Sequence, residues 1–344
     1  MSASSRQHHL NDASWKPHWF YRAWILAALT IFTGCTPPNP NASPLQLPTR
    51  AHRTPTPTLL DAKIYYEAAL AYQKAGDTEN ALQAFTWAIR LEPTSTSAYV
   101  GRGAVYLAQG KLYLALADAD RALKIDQDNA AAHALRGESL RLQGRGRSAS
   151  RAFDRALALN PTLSAETFQS RWLAARATPD SNRLLALGGE YADAHPEDPL
   201  RHYYRGWAFI ELGAPRVAIS ILVEGIEAAS DPPALLWFTL GQAYAANNSW
   251  REAVASFEVC RALVQADDTS LKLHSTQPIP SLFAALGRAY LGAGRCADAE
   301  MMLKYAAETG NLDAAYDTAL EEARVCQTPT PAATPYLTTT PSTP

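Results

Sequence analysis

The chain predicts an all-α fold of stacked helical hairpins, and three observations predict it. Like residues recur at a step of 34: Tyr72, Tyr106 and Leu140; Gly76, Gly110 and Gly144; Ala81, Ala115 and Ala149; Ala88, Ala122 and Ala156. No stretch alternates apolar and polar residues as a half-buried strand does. A glycine recurs near the middle of each period, where one helix ends and the chain needs a left-handed residue before the next. Such a hairpin cannot bury its own apolar face, so stacking must supply one continuous core and a curved superhelix.

Taken in order, the first segment stands outside that fold. Lys16 and Arg22 precede an apolar run, AWILAALTIF at 23–32, followed by Thr33-Gly34-Cys35. Basic residues, a short apolar stretch and small residues describe an export signal over 1–34. The run is too short to span a bilayer, which takes roughly 20 residues. Thr-Gly-Cys resembles the lipobox of bacterial lipoproteins, which implies lipidation of Cys35 as the new N-terminus. Phe32 departs from the leucine usual there, and the alternative is an uncleaved anchor with an incidental cysteine. Residues 35–58 are Pro-, Thr- and Asn-rich and poor in apolar side chains, which predicts a disordered linker. The tail at 326–344 has the same character.

The body, 59–325, carries the repeats. AKIYYEAALAYQKAGDTENALQAFTWAIRLEP from Ala62 aligns with SAYVGRGAVYLAQGKLYLALADADRALKID from Ser97 and AAHALRGESLRLQGRGRSASRAFDRALALNP from Ala131. Pro93 and Pro161 close the first and third units. The body resembles the tetratricopeptide repeat, whose small residues at two fixed positions let paired helices approach; here those hold Ala69, Gly103 and Gly137, then Ala81, Ala115 and Ala149. The resemblance implies a right-handed superhelical solenoid of about seven hairpins plus a C-terminal capping helix. The units are 62–95, 96–129, 130–163, 165–198, 199–232, 234–267 and 280–313, with the cap at 312–325. The fourth has lost the glycine turn and most small residues, and 265–280 is the one long insertion.

Composition excludes several functions. A net charge of −2 gives no surplus of cations for bulk nucleic-acid binding. Gly144-Arg145-Gly146 invites comparison with a phosphate loop, but no strand precedes it and no Lys-Ser/Thr pair follows, so it reads as the turn of the third hairpin. Arg102, Arg136, Arg171 and Arg205 recur at one repeat position; they form either an anion-gripping ladder or guanidinium groups lying over packed stems. Asp118 and Asp120 read as solvated flank charges. His-Glu-x-x-His, Gly-x-Ser-x-Gly and Cys-x-x-Cys are all absent from the sequence. The expectation is therefore no enzyme, no cofactor and no metal.

Cys260 falls in the small buried slot of Ala88 and Ala156 and reads as an inert core thiol. Cys296 opens the second helix of the last unit and Cys326 ends the cap. Antiparallel packing would bring them together, so a disulfide is expected there.

The resemblance implies binding on the concave groove lined by the first helix of each hairpin. Its inner positions hold Lys63, Tyr66 and Leu70, then Val100 and Leu107, Glu138 and Arg141, Gln169 and Arg176, Tyr203, Trp207 and Ile210, and Phe238 and Gln242. The subset of the family that clamps chaperone tails needs asparagines where this chain has Leu70, Ala104 and Glu138, so that role is excluded. An aromatic floor at Tyr203, Trp207 and Phe238 suits an apolar peptide. The alternative is that these rings pack between hairpins or under the 265–280 insertion.

The function expected is a non-catalytic scaffold or adaptor lipoprotein that binds protein or peptide partners, and no nucleic acid. It is expected at the bacterial cell membrane, anchored through Cys35 and facing the periplasm or cell surface. Two alternatives stand beside it. One is a carbohydrate- or nutrient-binding surface lipoprotein stacking sugars on the aromatic floor. The other is a cytoplasmic regulatory repeat protein, which would require the export signal to be false.

Overall fold

A computed structural model of the chain describes residues 59–178, 180–310 and 314–327. The expected signal, Cys35, the linker and all but the first residues of the tail lie outside these. Among the described residues there is no strand, and fifteen α-helices follow one another. They are α1 (Leu59–Ala75), α2 (Thr78–Leu91), α3 (Thr96–Ala108), α4 (Leu112–Ile125), α5 (Ala130–Leu142), α6 (Gly146–Leu159), α7 (Ser164–Arg176), α8 (Ser181–Ala194), α9 (Leu200–Glu211), α10 (Pro215–Ala228), α11 (Ala234–Ala246), α12 (Trp250–Gln265), α13 (Pro278–Gly292), α14 (Cys296–Thr309) and α15 (Ala314–Gln327). Short 3₁₀ turns occupy Pro161–Leu163 and Ser270–Leu273. None of the described helices is long and apolar enough to cross a membrane.

Two compact units divide at Thr178 and Pro179. The first contains α1–α7 and the second α8–α15. Within each, consecutive helices pack as antiparallel hairpins that stack side by side. The boundary falls inside the stretch expected to form the fourth hairpin.

The hairpin turn explains why it falls there. At Gly144 the chain takes φ +75°, Gly144 N–H donates to Arg141 O, and Arg145 N–H donates to Leu140 O. These two bonds satisfy carbonyls left open at the end of α5, and the left-handed residue they require favours glycine. The same pair of bonds closes the turns at Gly76, Gly110, Gly213 and Gly294, and at Asn248 with φ 59°. Thr178 stands 34 residues after Gly144, and a β-branched side chain resists that conformation. There the Thr178 N–H and hydroxyl both turn back to Ala175 O.

In five of the hairpins the core holds a size-matched pair sixteen residues apart; in the second, Gly103 and Ala119 occupy the two slots and Leu135 of the third hairpin packs on Gly103. Gly241 on α11 faces Phe257 on α12, and a Cβ on Gly241 would sit 2.6 Å from that ring. Ala69 with Phe85, Gly137 with Phe153, Gly206 with Leu222 and Gly287 with Leu303 occupy the same two slots. All five large side chains are buried, each contributing about 1.5–3 kcal/mol by leaving water. In the fourth unit the sizes are exchanged: Trp172 stands in the small slot and Gly188 in the large one. Trp172 is fully buried in the first unit.

Candidate functional site

The candidate groove residues fall into two sets, one in each unit. In the first unit the inner face is largely self-satisfied. Lys63 is exposed and reaches Glu67 at 3.8 Å. Tyr66 leans edge-on against Phe85, and burial raises its phenol above the ordinary value despite a hydrogen bond with Ser97. Val100 is half-buried and Leu107 is buried. Glu138 is buried on α5 and held by both arms of Arg141, with Nε to Oε2 at 2.8 Å. Gln169 and Arg176 on α7 are half-buried and engaged.

The arginine repeat is structural in the same way. Arg102 forks onto Asp118, with Nε to Oδ2 at 2.9 Å and Nη2 to Oδ1 at 2.7 Å. That hydrogen bonding raises the already high pKa of the guanidinium against its burial. Asp118 is therefore a correction to the sequence reading: it is buried, because Arg102 from the preceding helix compensates its charge. Arg136 bonds Asp120 at 2.8 Å, and Arg171 donates to Ser164 O and Oγ. Arg205 alone of the four is exposed. The turn residues Arg145, Arg147 and Arg151 face solvent.

In the second unit the inner face is different. Tyr203 is 0% exposed and Phe238 only 1%, while Trp207, Ile210 and Gln242 are half-buried. Tyr203 therefore supports the floor of a groove rather than lining it, and the reason is His274. That ring, delivered by the insertion, lies 4.5 Å from Trp207, 4.8 Å from Phe238 and 6.3 Å from Tyr203, centroid to centroid. The Tyr203 hydroxyl is 3.4 Å from His274 Nδ1.

What holds the insertion in place is a remote helix cap. α11 begins after Pro233, which offers no side-chain acceptor. Its first N–H groups are taken instead by Asp268 and Ser270: Ala234 N–H donates to Asp268 Oδ2 at 2.8 Å and Leu235 N–H to Ser270 Oγ at 3.0 Å. A carboxylate there also complements the positive end of the helix dipole. Leu271 is buried beneath. The segment is thus fastened polar-side to α11 and apolar-side to the core, and His274 follows from it.

Beyond His274 the unit opens into a cavity of about 740 Å³. α11 contributes Phe238 and Gln242, and α12 contributes Trp250 and Phe257. α13 supplies Arg288 among others, and α15 supplies Thr318, Ala319 and Glu322. The lining mixes aromatic rings with polar and charged side chains in nearly equal share, and the volume is in the range of binding clefts. Phe238 and Gln242 were legible in the repeat register. Trp250, His274, Arg288 and Glu322 were not among the expected residues; the signal for them was the break in the 34-residue period at 265–280 and the helix that follows the last unit.

Cys296 and Cys326 are joined as a disulfide, with Cα atoms 5.8 Å apart, between the start of α14 and the end of α15. Cys260 is a free, buried cysteine, and burial pushes its thiol up to about 12. The described residues contain no group of three or more His, Cys, Asp or Glu placed to hold a metal ion.

With this geometry in hand, comparisons with known proteins place the fold. The model of the tetratricopeptide repeat family matches residues 62–95, the first hairpin. A tetratricopeptide repeat protein from Parabacteroides merdae ATCC 43184 superposes with a TM-score of 0.60 at 17% identity, over 77% of this chain and 99% of that one. The APC/C hetero-tetramer Cut9–Hcn1 gives 0.51 at 15% identity, over 76% and 48%. Among curated proteins, DnaJ homolog subfamily C member 3 of Rattus norvegicus is 29% identical over 176 residues, which is 47% of this chain and 35% of that protein. The chain thus spans about a third of the length of that relative. The fold class is the one expected, an all-α solenoid of tetratricopeptide type, and a tetratricopeptide repeat is present.

Proposed function

We propose that this chain is a non-catalytic docking protein whose second unit receives a peptide segment of a protein partner. The single observation that carries the reading is the cavity over α11, α13 and α15, walled by Phe238, Trp250 and Phe257 and edged by Gln242, Arg288 and Glu322. Its size fits one or two bulky apolar side chains, and its polar edge can bind the backbone flanking them. The first unit serves as frame and spacer, because its inner charges already pair with one another. The sugar-stacking alternative loses Tyr203, which is 0% exposed beneath His274.

The reading extends to a bacterial lipoprotein held at the envelope through Cys35. It is supported by Lys16 and Arg22, the apolar run at 23–32 and the Thr33-Gly34-Cys35 sequence. Palmitate labelling and membrane fractionation of Cys35→Ala beside the native chain test this; label and membrane association retained by the variant contradict it.

The docking site is tested by a photocrosslinking amino acid placed at Gln242 in the native host, with Tyr113 as the control position. Tyr113 is 80% exposed in the first unit. A discrete peptide of one partner captured from position 242 and not from 113 supports the cavity. Identical capture from both positions, or none from 242, contradicts it.

A further inference from the structure

The first unit pairs its inner charges and leaves its outer ones facing water. Its second helices, α2, α4 and α6, present Arg90, Arg121, Lys124, Arg147 and Arg151 to solvent. The carboxylates nearest in sequence are committed elsewhere: Asp118 to Arg102, Asp120 to Arg136 and Asp128 to Arg155. Asp154 is engaged as well. Glu79, the remaining acid on these three helices, stands at the opposite end of α2 from Arg90. The outer layer of the unit is therefore cationic, although the whole chain has a net charge of −2.

That sign belongs to this unit and not to the repeat. Eleven residues past the turn glycine stand Trp87, Arg121 and Arg155 in the first three hairpins, but Glu224 in the fifth. Fourteen past it stand Arg90, Lys124 and Ala158, but Glu227 in the fifth. All eight side chains are exposed. Large apolar groups stand among the cations of the first unit. Trp87 is 44% exposed, with the Arg90 guanidinium 4.8 Å from its ring centroid, and on α4 Tyr113 is 80% and Leu114 49% exposed.

Arginine and lysine interleaved with exposed Trp, Tyr and Leu is the make-up of a face that lies in a lipid headgroup layer. Phosphates there meet the cations, and amphipathic rings sit at the boundary between water and hydrocarbon. Cations spread over three successive hairpins complement a surface of repeated anionic groups. We propose that the outer face of α2, α4 and α6 binds an anionic phospholipid surface. The arginines and Lys124 pair with headgroup phosphates, while Trp87, Tyr113 and Leu114 enter the headgroup layer. This site is separate from the cavity of the second unit and does not rest on it.

The test uses the full chain with vesicles of phosphatidylcholine, either alone or mixed with phosphatidylglycerol. Phenylglyoxal modifies exposed arginines, and mass spectrometry reads the rate at Arg121, Arg147 and Arg151. Arg216 and Arg251 of the second unit are the controls, and all five are exposed. The mixed vesicles should slow modification of the first three by at least about threefold and leave the controls unchanged. Salt at about 0.5 M should abolish that protection. Tethering through residues 23–35 would act on both kinds of vesicle alike, so it cannot produce this difference. Arg121→Glu with Arg151→Glu should remove the protection of Arg147 as well. No protection, equal protection by both kinds of vesicle, or equal protection of the controls overturns the proposal. Protection of Arg147 retained in the double variant overturns it too. Protection by poly(U) RNA with none by either vesicle also overturns it, and assigns the face to nucleic acid.

Discussion

The third hairpin, α5–α6, and the sixth, α11–α12, set the same two slots the same way, Gly137 against Phe153 and Gly241 against Phe257. Around that shared contact they differ at every other point. The third is capped locally, Asn129 Oδ1 accepting from Ala132 N–H, turns at a glycine, and closes its inner face with the Glu138–Arg141 pair. The sixth is capped from 34 residues away by Asp268, turns at Asn248, and leaves its inner face open as a cavity. The two hairpins thus share the size-matched pair, and the departures from the repeat are what open a cavity. Regularity gives the first unit a frame whose inner charges pair with one another; interruption gives the second unit an open cavity.

Four substitution sets break or sharpen that comparison. The largest effect is expected from the shared slot itself. Phe153→Ala and Phe257→Ala should each cost about 3–5 kcal/mol in urea unfolding, because each empties a fully buried position. Only Phe257→Ala should also weaken binding of the peptide captured at position 242, since only that ring lines the cavity. Equal affinities for both variants would separate the cavity from the hairpin core.

The caps come next. Asn129→Ala and Asp268→Ala should each cost about 1 kcal/mol. The loss at Asn129 should stay within α5 and the start of α3, where its amide donates to Thr96, whereas loss of the remote cap should also free 266–277 and so raise its proteolytic cleavage. A protected insertion in Asp268→Ala would mean that its other contacts, Ser270 and Leu271 among them, hold it without that carboxylate.

The turns follow. Gly144→Ala should lower stability by roughly 1 kcal/mol, since an alanine must then adopt φ near +75°. Asn248→Gly should be neutral or stabilising by a few tenths, roughly, because asparagine already tolerates that region less easily than glycine. Paired thermal melts decide both.

The smallest expected effect is a pH slope, and it belongs to the second unit. His202 is buried between α9 and α10; Arg201 Nε donates to its Nε2 at 2.9 Å, so its Nδ1–H donates to Ile221 O at 3.1 Å. Burial first, then the charges of Arg201 and Arg205, lower its pKa below the ordinary 6.5, against the Ile221 bond and Glu224. The folded chain therefore holds the neutral ring where the unfolded chain would take a proton. Its contribution is complete above pH 6.5 and is lost as the pH falls through and below that value. Melting temperatures from pH 7.5 to pH 5 should fall more steeply for the native chain than for His202→Gln; parallel slopes would contradict the assignment.

How much of this was legible in the sequence follows from the same contrast. The 34-residue step exposed the hairpins, their glycine turns and the slots of Phe153 and Phe257, because each of these depends on neighbours within one period. It also carried Phe238 and Gln242 to the cavity wall, since they keep the register. Asp118 was misread as solvated because its compensating partner, Arg102, is placed only by helix pairing. Tyr203 was assigned to the groove with packing under the 265–280 insertion as the alternative, and it takes the alternative; what its own repeat does not announce is His274, which arrives from 71 residues away. Arg288, Glu322 and the capping role of Asp268 were illegible for the same reason: they act through contacts that have no counterpart in the other units, so periodicity carries no information about them.

The central claim is that binding belongs to the interrupted unit and not to the regular one. Its most direct test is the affinity of the peptide captured at position 242, titrated calorimetrically into the native chain and two double variants. Gln242→Ala with Arg288→Ala removes polar edge groups in the second unit; Lys63→Ala with Gln169→Ala does so in the first. The account predicts a loss of at least about tenfold, roughly 1.4 kcal/mol, for the former and less than about twofold for the latter. The reverse order, or equal losses from both, would contradict it.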